Sequence, residues 1–245
     1  MDLEGKLKVW AEEVVNYCNL KALEINKTYY AFQKSVLPVK EKNRELLIIG
    51  LNPGGNFDFI GQYNNQKWKS DGRFDGKKMT VKGLLMGNPF FENYQKWDIA
   101  NLSKLESVKS ILDSDSYYFM NYIFFSTPNM AEFAKLDKNG EIRERCIEFT
   151  NQFIRIINPK RIIILGTQEG IDRLPNVENV ETVLSSNLRL IVRANHLGFP
   201  VVAIPHPSRY NMRKQGELDL MSETIQKIFN GEAVENRTVD RSTML

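Results

Sequence analysis

Short apolar runs alternate with stretches of helical periodicity along this chain of 245 residues, and this alternation limits its fold more than any other feature. Apolar or aromatic runs of strand length occupy residues 45–50, 117–125, 161–166 and 201–204, and a further short strand is predicted at 188–192. Helical periodicity occupies residues 7–30, 141–157 and 217–229, with a further helix start near Thr167. The pattern predicts an α/β fold: a three-layer α/β/α sandwich with a central, mainly parallel four-stranded sheet.

The composition limits which classes of protein this chain can belong to, but it does not identify the function. We find no internal repeat and no clean linker, so we predict a single domain over 1–230 and a polar tail over 231–245. No apolar run reaches the roughly 18 residues that span a bilayer, and no signal-peptide pattern is visible, so we expect a cytoplasmic protein without a membrane partner. Cys18 and Cys146 stand alone, which favours reduced thiols and no metal site. The net charge of +3 permits a nucleic-acid partner without requiring one.

The first strand-length run breaks into a turn rich in glycine and proline, Gly50-Leu51-Asn52-Pro53-Gly54-Gly55. In open α/β sheets, ligands bind just outside the carboxyl ends of the strands. Glycines let the backbone approach a ligand closely, and Asn52 has the only side chain of the turn with both a donor and an acceptor. An ordinary exit from a strand would show the same glycines, so the turn alone does not decide between the two interpretations.

Two further polar groups follow predicted strands. Asn121 interrupts an aromatic strand, so its amide either bonds to a neighbouring loop or faces a ligand. His206 follows the strand at 201–204 and is flanked by Pro205 and Pro207. Between them, residues 56–103 form an irregular segment that alternates aromatic with basic residues, as in surfaces that stack bases and contact phosphates. A long loop with a small core of its own would have the same composition.

These residues resemble the motifs of the uracil-DNA glycosylase superfamily. Residues 50–54 resemble its first motif in the Gly-x-Asn-Pro-Gly form of the mismatch-specific and single-strand-selective branches. Residues 206–208 (His-Pro-Ser) resemble its second motif, and Asn211 is similar to the single-strand-selective version of it. Asn121 matches the asparagine that reads the uracil edge in several branches. The three anchors occur in the expected order over 45–211, although Arg209 stands where the family usually has proline or a small residue.

The resemblance implies a monofunctional DNA glycosylase that hydrolyses the N-glycosidic bond of uracil, or of a related damaged or modified base, flipped into a pocket. It acts on DNA without a cofactor or metal, and we expect a monomer. Asn52 would hold the attacking water and His206 would donate a hydrogen bond to the leaving base, which makes these two the catalytic residues. The implied base-binding residues are Gly50, Leu51, Pro53, Gly54 and Asn121, with Phe57, Phe59 or Phe74 stacking on the base. The implied DNA-binding residues are Ser208, Arg209, Tyr210 and Asn211.

Two other functions stay open at this point. The first motif holds an amide where the fastest branch of the family has aspartate, and an amide is not a competent general base. A catalytically silent protein that binds a nucleobase, a nucleotide or DNA through the same crevice would therefore show the same motifs. An enzyme that uses a phosphate or nucleotide on the glycine turn is less favoured, because the turn lacks both a Gly-Lys-Ser/Thr ending and a Gly-x-Gly-x-x-Gly pattern.

Overall fold

The structure, a computed structural model, describes residues 2–168, 170–172 and 174–240, without the side chains of 92–97, 209, 211 and 212. The helices are α1 (Leu3–Ile25), α2 (Phe59–Asn64), α3 (Gln66–Ser70), α4 (Val81–Leu85), α5 (Phe91–Leu102), α6 (Glu106–Asp113), α7 (Met130–Leu136), α8 (Glu141–Ile157) and α9 (Gln215–Phe229). The strands are β1 (Leu46–Gly50), β2 (Phe74–Asp75), β3 (Lys78–Met79), β4 (Tyr117–Asn121), β5 (Ile162–Leu165), β6 (Val177–Ser185), β7 (Arg189–His196), β8 (Phe199–Ile204) and β9 (Arg237–Thr238).

The chain is an α/β protein with a mixed, mostly parallel central sheet flanked by helices. Over the described ranges this sheet has seven strands in the order β4-β1-β5-β8-β7-β6-β9, and β2 and β3 form a separate antiparallel pair. The predicted four-stranded sheet is therefore wrong in size. β5 lies parallel to both β1 and β8, whereas β7 pairs antiparallel with β8 and with β6. The carboxyl ends of β1, β5 and β8 consequently lie at one edge of the sheet.

The chain divides into two compact units made of interleaved segments. Unit 1 contains residues 1–41, 50–91 and 118–158, and unit 2 contains residues 42–49, 92–117 and 159–245. The first motif and Asn121 belong to unit 1, whereas the His206 segment belongs to unit 2. The single domain predicted over 1–230 stays a prediction.

Unit 1 is built on an aromatic core between its two long helices. The Trp10 ring lies 5.5 Å from Phe32 and 5.3 Å from Phe153, measured between centroids, and the Trp10 indole nitrogen donates to the carbonyl of Phe149 at 2.9 Å. Such tilted aromatic pairs contribute beyond their buried area. The segment from Thr28 to Gln33 runs beside the chain that continues from β4, with bridges Tyr29–Phe125 and Phe32–Met120. This pairing fixes Gln33 opposite the end of β4.

Unit 2 is built on the buried strands. Residues 46–49, 162–165 and 201–204 are almost entirely removed from solvent, as expected for parallel strands covered on both faces. α9 packs against β7 and β8, and α6 packs against α9, where the backbone nitrogen of Ser107 donates to Ser222 Oγ at 2.7 Å. Near the start of α9, Arg213 and Glu217 form a buried ion pair.

Several predicted boundaries are corrected by the structure. α8 has the predicted bounds, whereas α1 ends at Ile25 because Asn26 adopts a left-handed conformation. β4 ends at Asn121 rather than residue 125, and the described residues after Thr167 lie in turns rather than a helix. The short strand predicted at 188–192 belongs to the longer β7, and its partner β6 was not predicted. Residues 56–103 contain α2 to α5 and a hairpin, so they are more regular than predicted.

The described part of the predicted C-terminal tail contains a strand. β9 pairs parallel with β6 through Leu184 and Ser185, and residues 241–245 lie outside the described part of the chain. Among the described residues, no helix combines the length and the apolar character that a membrane crossing needs.

Candidate active site

The glycine turn after β1 is held by the chain that follows β4. The Leu51 carbonyl accepts a hydrogen bond from the backbone nitrogen of Ile123 at 2.8 Å, and the Gly54 carbonyl accepts one from the Ser126 hydroxyl. Gly54 and Gly55 adopt φ of 68° and 72°, in the left-handed region that glycine tolerates without strain. Leu51, Asn52, Pro53 and Gly54 are all partly exposed, so a ligand has access to the turn.

The Asn52 amide is oriented by one residue that sequence reasoning missed. Its Nδ2 donates to the Thr127 carbonyl at 2.7 Å and to Thr127 Oγ1 at 3.0 Å. Both acceptors belong to one residue, so Thr127 anchors the Asn52 amide nitrogen. With the nitrogen held by Thr127, Oδ1 is the acceptor that the Asn52 side chain presents at the turn, and it has no hydrogen bond within the described part of the chain. Thr127 Oγ1 in turn donates to the Asn129 carbonyl at 3.1 Å, which fixes the hydroxyl.

The sequence predicted that the Asn121 amide either bonds to a neighbouring loop or faces a ligand. In the structure it bonds to a neighbouring loop. Its side chain is fully buried, Nδ2 donates to the Tyr30 carbonyl at 3.1 Å, and Oδ1 accepts from Gln33 Nε2 at 3.1 Å. A Cβ atom built on Gly50 would lie 3.1 Å from Asn121 Oδ1, so the glycine makes room for this amide. The first motif and Asn121 are thus in contact at Gly50. Direct reading of a base by Asn121 stays a prediction.

The three phenylalanines predicted to stack on a base have different environments. Phe59 is fully buried and Phe74 is 5% exposed, and their rings pack together 5.8 Å apart, so both belong to the core of unit 1. Phe57 is partly exposed and stacks on Phe90, with centroids 4.4 Å apart and an angle of 11° between the planes. It also covers Gly55, where an added Cβ would collide with the Phe57 ring. Phe57 is therefore the best placed of the three for a stacking role.

His206 is exposed on the turn that follows β8 in unit 2. Its Nδ1 accepts a hydrogen bond from the Ser208 backbone nitrogen at 3.3 Å and lies 3.0 Å from Ser208 Oγ. Because a backbone N–H can only donate, Nδ1 acts as an acceptor, and the neutral ring carries its proton on Nε2. The turn thus prepares Nε2–H as a hydrogen-bond donor. Ser208, predicted to contact DNA, is exposed and also sets the tautomer of His206.

A carboxyl group that was not predicted lies within electrostatic range of His206 in the same unit. Asp98 of α5 is partly buried, and its Oδ1 has no hydrogen-bond partner among the described residues. Burial raises the pKa of Asp98, and the interaction with the cationic form of His206 partly opposes this rise. The sequence offered no signal for this proximity, because Asp98 and His206 are more than a hundred residues apart.

The remaining predicted DNA contacts are only partly described. Tyr210 is buried, with the Arg213 guanidinium 6.0 Å from its ring centroid, so its ring is packed inside unit 2 rather than exposed as a stacking surface. The side chains of Arg209 and Asn211 lie outside the described residues. Exposed lysines do lie on unit 1, including Lys77 and Lys78 at the hairpin between β2 and β3.

The structure therefore brings Gly50 to Asn121 and Asn52 to Thr127 in unit 1, and His206 to Ser208 in unit 2. The predicted meeting of Asn52, Asn121 and His206 around one base stays a prediction. Within the described residues, no group of three or more His, Cys, Asp or Glu side chains is placed to hold a metal ion. The chain matches no known family model and no curated protein sequence.

Proposed function

We propose that this protein is a monofunctional DNA glycosylase that hydrolyses the N-glycosidic bond of uracil, or of a related damaged or modified base flipped out of the DNA. The observation that carries the proposal is the Asn52 amide, whose nitrogen is anchored on two acceptors of Thr127. Its oxygen is left on a partly exposed turn after the carboxyl end of a parallel strand, where it is suited to hold a water.

In the proposed reaction the bond between C1′ and the base nitrogen breaks, and its electron pair leaves with the base. Positive charge then develops on the sugar and negative charge on the base. Water held by Asn52 Oδ1 adds to C1′ and loses its proton to solvent. An amide oxygen does not remove that proton in advance, so the bond to the base must be largely broken before water attacks, and we expect a modest rate.

His206 is assigned to the leaving base. A fixed donor aimed at developing negative charge is typically worth about a hundredfold to a thousandfold in rate. The contact between Ser208 N–H and Nδ1 supports this role, since it leaves the proton on Nε2 of a neutral ring. The role requires no change of protonation state during the reaction.

Base recognition is assigned to the turn at 50–54, to the carboxamides around Asn121 and to a stacking ring, Phe57. DNA is the proposed partner, with Ser208 and Arg209 on its backbone, and the protein is proposed to act as a cytoplasmic monomer. We also propose that helices cover both faces of the central sheet, which would make the fold a three-layer α/β/α sandwich.

The alternative, a silent protein that binds a nucleobase or DNA, is favoured by two observations. Asn121 is fully buried and bonded on both amide atoms, and the first motif has no carboxylate. Such a protein would bind DNA that contains uracil without releasing the base.

The two functions are separated by a base-release assay. Single- and double-stranded oligonucleotides containing uracil or modified bases are incubated with the protein and then treated with alkali to cleave abasic sites. We expect cleavage by the wild type, a loss of at least about a hundredfold in the single-turnover rate for Asn52→Ala, and none for Asn64→Ala, an exposed asparagine of α2. Binding without cleavage for every base would refute the glycosylase and support the silent binder.

A further inference from the structure

Three carboxamide side chains of unit 1 form a continuous hydrogen-bonded chain. Asn88 Nδ2 donates to Gln33 Oε1 at 3.0 Å, and Gln33 Nε2 donates to Asn121 Oδ1 at 3.1 Å. The chain is closed at both ends by backbone groups. The backbone nitrogen of Phe90 donates to Asn88 Oδ1 at 3.0 Å, and Asn121 Nδ2 donates to the Tyr30 carbonyl at 3.1 Å.

The two ends of this chain determine its direction. A backbone N–H can only donate and a backbone carbonyl can only accept. Asn88 must therefore turn its oxygen toward Phe90, and Asn121 must turn its nitrogen toward Tyr30. Gln33 then has one orientation that satisfies both neighbours, with its oxygen toward Asn88 and its nitrogen toward Asn121. Turning the Gln33 amide over would place oxygen against oxygen and nitrogen against nitrogen.

Gln33 is the member of the chain that a ligand can reach. Asn121 is fully buried and Asn88 is 8% exposed, whereas Gln33 is only partly buried. Its backbone is fixed, because its nitrogen donates to the Phe119 carbonyl at 2.9 Å. Asn121 Oδ1, which accepts from Gln33, also faces Gly50 at the start of the turn. The partly buried Gln33 amide thus lies one side chain away from the first motif.

We infer that Gln33 is the specificity-determining residue of the proposed glycosylase, and that it reads the Watson–Crick edge of the base while Asn121 and Asn88 fix the direction of its amide. After its two bonds within the chain, Gln33 keeps one N–H and one oxygen lone pair. A uracil edge offers an N3–H donor beside a carbonyl acceptor, which matches that pair. A cytosine edge has donor and acceptor in the opposite order. It would need the Gln33 amide turned over, which the hydrogen bonds to Asn88 and Asn121 prevent.

This inference rests on the proposed function and is tested with Gln33→Glu, which has nearly the same shape but loses the N–H donor. The matched control is Gln66→Glu, the same change at an exposed position of α3. Two quantities are measured for each protein: the single-turnover release of uracil, and the affinity for the same oligonucleotide carrying an abasic-site analogue, which has no base edge.

For Gln33→Glu we expect uracil release to fall about fivefold to a hundredfold, the range for one bidentate base contact, with abasic-site affinity unchanged. Gln66→Glu should change neither. Equal release by Gln33→Glu and the control would overturn the inference while the glycosylase stands. A parallel loss of abasic-site affinity would also overturn it, because the role of Gln33 would then be structural. A wild type that releases no base would overturn the proposed function and the inference with it.

A second variant tests the direction of the chain without touching the reading residue. In Asn88→Asp the side chain still accepts from Phe90 but can only accept from Gln33, so the Gln33 amide is driven to turn over. We expect Asn88→Asp to lose uracil release about as far as Gln33→Glu, although residue 88 meets no base. Wild-type release by Asn88→Asp would show that the chain does not fix the amide of Gln33.

Discussion

Replacing Gly50 with alanine tests the contact between the turn and the Asn121 amide. A Cβ at this position would lie 3.1 Å from Asn121 Oδ1, 3.6 Å from the Phe119 ring and 3.8 Å from the Met120 carbonyl. A carbon and an oxygen that are not bonded to each other usually lie a few tenths of an ångström farther apart than 3.1 Å. The Asn121 amide is held at both atoms, so it gives way only by lengthening one of its hydrogen bonds.

The size of the effect follows from two opposing contributions. Overpacking of a filled site costs about 1 to 3 kcal/mol, and the loss of glycine's freedom in the unfolded chain returns about 0.4 to 1 kcal/mol. We therefore expect Gly50→Ala to lower the free energy of unfolding by about 1.3 kcal/mol, the middle of a range from about 0 to 2.6 kcal/mol. The control is Gly61→Ala in α2, where a Cβ meets nothing within 4 Å and should stabilise the protein by about 0.5 to 1 kcal/mol.

Urea denaturation of the two variants, compared at equal m-values, measures this difference. If Gly50→Ala is as stable as Gly61→Ala, the amide does not lie against the turn as described. The Gly50→Ala variant should also release uracil more slowly in the assay above, because the displaced Asn121 oxygen is the acceptor for Gln33.

Three other predictions concern Thr127, Asp98 and the two cysteines. Thr127→Val removes one of the two acceptors for Asn52 Nδ2 and should slow uracil release about fivefold, the equivalent of one hydrogen bond, whereas Thr127→Ser should restore it. Burial raises the pKa of Asp98, so the folded state holds this proton to higher pH than the unfolded state, and stability falls as pH rises above about 4. Urea denaturation of Asp98→Asn should show a gain in stability near neutral pH and none below about pH 4; equal gains at both would contradict this assignment. Burial raises the pKa of Cys146 to about 12 and that of Cys18 well above its usual range, so a thiol reagent at pH 8 should modify neither until urea unfolds the chain.

The parts of the fold that could be predicted are those with a local signal. Residues 46–49, 162–165 and 201–204 are continuous apolar runs because their strands are covered on both faces. β6 gave no such signal, since most of its residues are exposed or partly exposed and charged ones interrupt it. Its partner β7 was underestimated for the same reason. The short helices within 56–103 were hidden by glycines that end them, such as Gly72 and Gly87 in the left-handed region.

The residues of the candidate site that could be predicted are likewise those with a local signal in the sequence. Asn52, Asn121 and His206 stand out because a polar residue at the end of an apolar strand is locally unusual. Their partners do not stand out, because Thr127 and Gln33 are 75 and 88 residues away from the amides they orient. The one available hint was the glutamine that follows the aromatic stretch at 29–32, a polar residue at the edge of a buried segment.

Tyr210 shows where a motif analogy and packing diverge. The resemblance placed it on DNA, but unit 2 uses the ring as core beneath the turn that carries His206. Any DNA contact from this turn is therefore assigned to its exposed members, of which Ser208 is described.

The most direct test of the proposed function is His206→Ala, measured for both chemistry and binding. Uracil release is followed under single-turnover conditions, and the affinity for the same DNA is measured separately. We predict that release falls by about a hundredfold or more while the dissociation constant for DNA changes little, because Nε2–H acts on the departing base and not on the bound strand. Unchanged release by His206→Ala would contradict the proposed mechanism.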